Sequence, residues 1–458
     1  MNTANYSPAK PQKTINRRFK KIGLVALPLV AIALIAIPYF SQKSGNSPYR
    51  YPFEASSPGT NTVRLEKEIA FYQKKIAQDP ESALNQAFLA GTYLKMARAT
   101  GEASWYLLAE NTAQQSLAKM PFDNEAAIAT LARVALARHD FKQALNLVKP
   151  ISKSENTLPV LVTANLALGE LSEAKQAANA LVNRIPSLGN LTLRGLVEVS
   201  TGEDEAALQD LQQAIALEEP EETGSSVWAR TLLGRLYYKQ GKLKEAEELY
   251  QESLRILPQY PPGLLNLAQL AIRQGRYEEA EKLYSQIYLT LQKSPTIYDH
   301  VVLRAMARVK DLQGKTQEAQ ALRNQAETRL RQDLTGFGHQ RELAQLLLER
   351  GNPKDIQEAV SLMQTELKNR QDAETLDTWA WALGSAKRWQ EAETAINTAI
   401  KSGVKDPSIF QRAATISQAL GKQQAATNYL EKVKQTDPTF DRQAEQASGL
   451  GVGLSVLN

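Results

Sequence analysis

The chain has 458 residues, 22% of them charged and 43% hydrophobic, with 24 Gly and 20 Pro, which excludes collagen-like, mucin-like and wholly disordered polymers. The formal charge of +5 arises in the first 21 residues, where Lys10, Lys13, Arg17, Arg18, Lys20 and Lys21 meet no acid. The remaining 437 residues sit at about −1, so a polyanion binder's electrostatic footprint is missing and no nucleic-acid partner is expected. With no cysteine, disulfides, thiolate zinc sites and a cysteine nucleophile are excluded.

Residues 1–21 read as a basic tail. Ile22 to Phe40 is a run of 19 uncharged, nearly all apolar residues. As a helix it reaches roughly 28 Å, close to a bilayer's hydrocarbon thickness, so it is expected to cross a membrane once. A cleaved signal peptide shares the order basic, apolar, polar, but its apolar stretch is shorter and ends at a small-x-small site. Here Ala31-Ile32-Ala33 lies inside the run, and the exit is Pro38-Tyr39-Phe40-Ser41. A retained anchor is therefore the reading, with the cleaved signal as its rival. The six bases before the run, against Lys43 and Arg50 after it, place the tail in the cytoplasm and the bulk outside. The expected location is the plasma (inner) membrane, single-pass. Residues 41–62 hold five Ser, three Pro and two Gly without helical or alternating pattern, and read as a flexible spacer.

From Leu65 onward apolar residues recur at helical spacing, punctuated every 12 to 20 residues by Gly, Asp-Pro or Asn. The chain beyond the spacer is expected to be all-α. Gly241, Ala246 and Tyr250 recur 34 residues later as Gly275, Ala280 and Tyr284. The segment Val227 to Tyr260 carries Leu233-Gly234, Tyr237, Ala246, Tyr250 and Pro258 at the seventh, eighth, eleventh, twentieth, twenty-fourth and thirty-second places. It resembles a tetratricopeptide repeat (TPR), departing from the family at the fourth place, where Arg230 stands for Trp, and at the twenty-seventh, where Ser253 stands for Ala. Degraded copies lie on both sides, about ten in all over residues 63–438, with a lone helix at Val63 to Asp79 as a front cap and residues 439–458 as a tail. The first recognisable copy, around Ala90, Tyr93 and Ala109, carries about seven extra residues between its helices.

The resemblance implies an α-solenoid, a right-handed superhelix of helix-turn-helix units making somewhat more than one turn. No single pair buries its apolar face, so each stacks on its neighbours. First helices line a concave wall, where such proteins hold a partner's helix or an extended peptide. Glu218 to Ser226 and Gln292 to Thr296 are irregular joins, the first expected to be an exposed acidic loop.

Chemistry is sparse. His139, His300 and His339 lie far apart in sequence on different repeats and read as surface or inter-helix residues. No HExxH, phosphate loop, nucleophile elbow or EF-hand pattern occurs, and Gly449 to Leu454 neither follows a strand nor opens a helix. No catalytic residue, metal, cofactor or small-molecule substrate is expected, and the chain reads as no enzyme. The family's carboxylate clamp is not reproduced, since Thr231 and Arg235 stand where it uses Lys and Asn. Inner-wall places instead hold Arg235, Asn266, Gln269, Arg273, Arg304 and Arg308. Arginine's planar fork suits carboxylates, so they suggest a groove for acidic or extended peptide; solvated or internally paired arginines are the alternative. Two functions stay open: a membrane-tethered protein-protein interaction scaffold, or an accessory subunit of a membrane enzyme or envelope assembly complex such as a polysaccharide synthase.

Overall fold

A computed structural model describes residues 60–151, 154–219, 222–291, 296–333 and 338–441. The basic tail, Ile22–Phe40, nearly all of the expected spacer and most of the C-terminal tail lie outside the described residues. Among the described residues there are 21 α-helices and no strand. None of these helices is long and apolar enough to cross a membrane.

Helix α1, Thr60–Gln78, takes in the last three residues of the expected spacer. Its Thr-Asn-Thr start carries no apolar periodicity, which is why the pattern registers only from Leu65. Ten helix pairs follow. They are α2 Ala83–Thr100 with α3 Ala103–Lys119, α4 Glu125–Ala137 with α5 Phe141–Val148, α6 Leu158–Leu168 with α7 Leu171–Arg184, and α8 Leu188–Thr201 with α9 Asp204–Ala216. Next come α10 Thr223–Lys239 with α11 Leu243–Ile256, α12 Pro261–Arg273 with α13 Tyr277–Leu291, and α14 Asp299–Leu312 with α15 Thr316–Asp333. The last three are α16 Gln340–Arg350 with α17 Pro353–Glu366, α18 Ala373–Ser385 with α19 Trp389–Lys401, and α20 Pro407–Ala419 with α21 Gln423–Thr436.

Local chemistry starts and stops these helices. The side chains of Ser82, Asn124, Asp140, Ser187, Asn352, Asp372 and Asp406 accept from backbone N–H groups in the first turn, satisfying donors the helix cannot. Each of the ten turns within pairs contains a residue with left-handed φ: glycine in eight, His139 and Lys387 in the other two. In the first pair the extra residues do not loop out, because they lengthen α2 and α3 to 18 and 17 residues and leave a short turn at Gly101.

Within the fifth pair, the signature packs as its spacing implies. A Cβ on Gly234 would lie 2.6 Å from the Tyr250 ring, so only a small residue lets α10 and α11 approach. Ala246, Tyr250, Ala280 and Tyr284 are buried, Tyr237 and Pro258 half-buried, while Gly241 and Gly275 supply the left-handed turns. Both departures from the family pattern are accommodated locally. The Ser253 hydroxyl donates to the Tyr250 carbonyl at 2.7 Å. Arg230 is buried with Glu218 at 2.6 Å and Glu252 at 2.9 Å. The expected exposed acidic loop is thereby corrected: Glu218 is drawn inside to neutralise Arg230, and Thr223 already opens α10.

First helices are inside and second helices outside. Every residue from Pro261 to Ile272 of α12 is buried, whereas α11 buries only Ala246, Tyr250, Ser253 and Ile256. The apolar core is accordingly a chain of clusters along the stack rather than one centre.

The stack also winds back on itself. The Ile297 N–H donates to the Gly101 carbonyl at 2.9 Å, and the Gln371 N–H to the Ala167 carbonyl at 2.7 Å. Lys142 Nζ donates to the Lys368 carbonyl at 2.6 Å, and His139 lies against Gly338. Gly202 meets Gly403 so closely that a Cβ on either would overlap the backbone of the facing turn. Lys239 pairs with Asp406, and Arg273 with Asp437. In each case the turn or end of one pair touches the joint about five pairs later. Ten pairs therefore make nearly two turns, tighter winding than the repeat count suggested.

Candidate functional site

The winding decides the fate of the residues expected on the inner wall. Arg235, Asn266, Gln269 and Arg304 are buried, and Arg308 is half-buried. Arg273 donates through one terminal nitrogen to both Asp437 oxygens, at 2.8 and 2.6 Å, and to Thr439 Oγ1 at 2.7 Å; its guanidinium lies 4.9 Å from the Tyr238 ring centre. Arg304 bridges to the next first helix, reaching Glu349 at 2.6 Å and Gln345 at 3.2 Å. The Asn266 amide donates to the Pro262 carbonyl at 2.7 Å. Arg235, Gln269 and Arg308 also interact with other residues of the chain. Asp437 and Thr439, which sequence alone assigns to the end of the last repeat and a tail, thus hold Arg273 at the far end of the spiral.

A second charged set appears where sequence offered no pattern. Arg341 is buried beside Glu342 at 2.8 Å, Glu374 at 3.5 Å and Asp372 at 3.7 Å, and Asp372 takes Arg370 at 2.6 Å. Burial works against the Glu342 carboxylate, yet Arg341 and the nearby histidines hold it well below the usual range. Glu366 goes the other way, pushed up to about 7 by burial against the pull of Arg370. Arg370 keeps two terminal nitrogens buried without hydrogen bonds and places its guanidinium 5.8 Å from the Phe141 ring centre.

All three histidines of the chain enter this set. The His300 and His339 ring centres are 4.3 Å apart, and His139 and His339 are 5.7 Å apart in edge contact. Burial, reinforced by Arg370, lowers His139 to about 3, and burial with His339 holds His300 well below its ordinary value. The rings pack on one another, and among the described residues no group of His, Asp and Glu is placed to hold a metal ion. No sequence signal could have joined His139 to the other two: His300 and His339 come from neighbouring pairs, but His139 reaches them only where the first superhelical turn lies on the second.

A cavity of about 330 Å³ opens along the same seam, walled by Leu166, Leu196, Val199, Val404 and Ile409 with Glu374 at its edge. Both Glu374 oxygens are buried without a hydrogen bond. Burial raises this carboxyl, against the pull of Arg341.

The arrangement is a wound stack of helix pairs with its interior charges largely matched within the chain. The sequence model of the MalT-like TPR region matches residues 156–405, more than half of the chain. The chain belongs to that family. Among solved structures, this TPR chain is similar to the APC/C heterotetramer Cut9-Hcn1, at 13% identity over 85% of this chain and 93% of that one, with a TM-score of 0.32. A tetratricopeptide repeat protein from Parabacteroides merdae ATCC 43184 is 17% identical over 57% of this TPR chain and 98% of its own, with a TM-score of 0.33. The human IFIT1 dimer with PPP-AAAA is 12% identical over 82% and 87%, with a TM-score of 0.44. No curated protein matches the chain.

Proposed function

We propose that this TPR chain is a non-enzymatic scaffold, tethered to the plasma (inner) membrane by Ile22–Phe40 with its amino terminus in the cytoplasm and its repeats outside. The observation that carries the scaffold reading is the run of ten stacked helix pairs in a family of interaction repeats. The tether rests on the 19-residue apolar run and the basic residues before it. The partner is a protein or an extended peptide. Because Arg273 and Arg304 are already committed to Asp437 and Glu349, they serve the spiral, and the partner is met by faces that the seam leaves free.

The accessory-subunit alternative shares all these features and differs in using the apolar run as a contact surface. Replacing Ile22–Phe40 by an unrelated apolar span separates the two. Full-length protein is purified from detergent extracts with and without the swap, and stoichiometric partners are identified by mass spectrometry. A partner retained after the swap supports the tethered scaffold, and one lost with it supports the subunit. Recovery of the wild-type chain in the salt-washed soluble fraction would remove the tether, and absence of any stoichiometric partner would remove the scaffold.

A further inference from the structure

Helix α1 packs through Leu65 and Ile69, both buried, which fixes the direction its other residues point. At ~100° per residue, Arg64, Lys67, Lys74 and Lys75 all fall within about 60° of Phe71, on the side away from the core. Phe71 is 53% exposed, with Lys75 Nζ 5.7 Å from its ring centre. Lys67, Lys74 and Lys75 make no ion pair among the described residues, and the nearest acid on this side, Glu68, is held by Thr92 and Lys95. From Phe71 an aromatic run continues through Tyr72, 5.2 Å away, to Phe88, a further 5.7 Å on. Phe88 is 48% exposed, and Leu84, one helical turn earlier, 52%. An exposed aromatic surface framed by unneutralised bases is the composition of a helix that lies on a membrane: rings enter the headgroup boundary while lysines meet anionic lipid.

We infer that this strip of α1, with Phe88 and Leu84 of α2, docks on the surface of an anionic bilayer. Charge complementarity selects that occupant, and so does chain length. Only residues 41–59 separate Phe40 from the first residue of α1, and a chain of that length reaches at most about 70 Å even when fully extended. The inference rests on the tether proposed above and adds a second, reversible contact that would hold the front of the spiral at the membrane surface. Bases near such a surface attract anionic lipid within a Debye length, so four of them with one aromatic in the headgroup boundary give an attraction that salt weakens.

Because the chain has no cysteine, single labels report cleanly. Full-length protein carrying Gln78→Cys, at the end of the strip, or Gln251→Cys, on the exposed face of α11, is reconstituted in vesicles of phosphatidylethanolamine and phosphatidylglycerol. A fluorophore on the cysteine is then challenged with a lipid-borne quencher. The expected result is several-fold stronger quenching at position 78 than at 251. That excess should be lost in phosphatidylcholine vesicles, in about 0.5 M salt, and in the exposed-site variants Phe71→Glu with Phe88→Glu or Lys67→Glu with Lys74→Glu and Lys75→Glu. Equal, weak quenching at 78 and 251 overturns the docking. A third label, Ile32→Cys, keeps the two ideas apart: if it is quenched while 78 is not, the tether stands and the docking falls. Protection at 78 that appears only with a co-purified protein, and not in pure lipid, overturns the docking as well.

Discussion

The imidazoles of His300 and His339 stand 4.3 Å apart, ring centre to ring centre, one from the inner helix of the seventh pair and the other from the residue that precedes the inner helix of the eighth. His139 closes the group from the opposite turn of the spiral. This makes the seam sensitive to acid. His139 is held at about 3 in the folded chain, by burial and then Arg370, against an ordinary value near 6.5; Glu342, His339 and Arg341 are its other charged or titratable neighbours. The unfolded chain therefore takes up the proton first. The stability contributed by neutral His139 is complete above about pH 6.5 and falls as pH drops toward 3, by up to about 1.4 kcal/mol per unit. His139→Asn removes the titration and keeps the left-handed turn, because asparagine tolerates positive φ. The stability gap between wild type and His139→Asn, read from urea unfolding, should shrink with acidification. A gap independent of pH between 7 and 4 would refute the buried, neutral assignment.

Gly202 and Gly275 have nearly the same left-handed φ, 74°, in equivalent turns. A Cβ at Gly275 would meet nothing, whereas at Gly202 it would overlap the Gly403 carbonyl of the next superhelical turn. Gly275→Ala should cost only the backbone term, roughly 1–2 kcal/mol. Gly202→Ala should cost at least about 1 kcal/mol more, with the excess in faster hydrogen exchange at the joint around Gly403. Equal losses would mean that the turns do not touch.

Arg273 and Asp437 are both buried, so removing one leaves the other uncompensated. Arg273→Ala should destabilise the C-terminal pairs by about 3–5 kcal/mol, and Asp437→Asn by a similar amount. The double variant should lose less than the sum of the two, a coupling read directly from a double-mutant cycle. Additive losses would deny the pair.

Gly234→Val tests the signature packing inside a repeat. Its side chain would enter the space of the Tyr250 ring, so a loss of about 1–3 kcal/mol is expected, with rescue when Tyr250 is shortened to Leu. Persistence of the full loss in the double variant would place the defect elsewhere.

Helix identity, the pairing of helices and most of the turns were legible in the sequence, because 34-residue spacing, small residues at facing places and glycines after helices are local requirements. The turn at Gly101 was not, since the extra residues that read as a longer connection lengthen α2 and α3 instead, and His139 and Lys387 hid two more turns that only their backbone angles reveal. Glu218 misled for a related reason. Surrounded in sequence by Glu219, Glu221 and Glu222, it reads as exposed, and its burial depends on Arg230 twelve residues on.

The sequence by itself determined that stacked helix pairs would form and which side of each would face inward, since periodicity and close-approach residues act over one or two turns of helix. Only the tertiary structure decided how tightly the stack winds. That winding is what commits Arg273 to Asp437 and brings His139 to His339. Such contacts join residues about 165 to 200 positions apart, and their energy comes from desolvating and matching groups that no local pattern links.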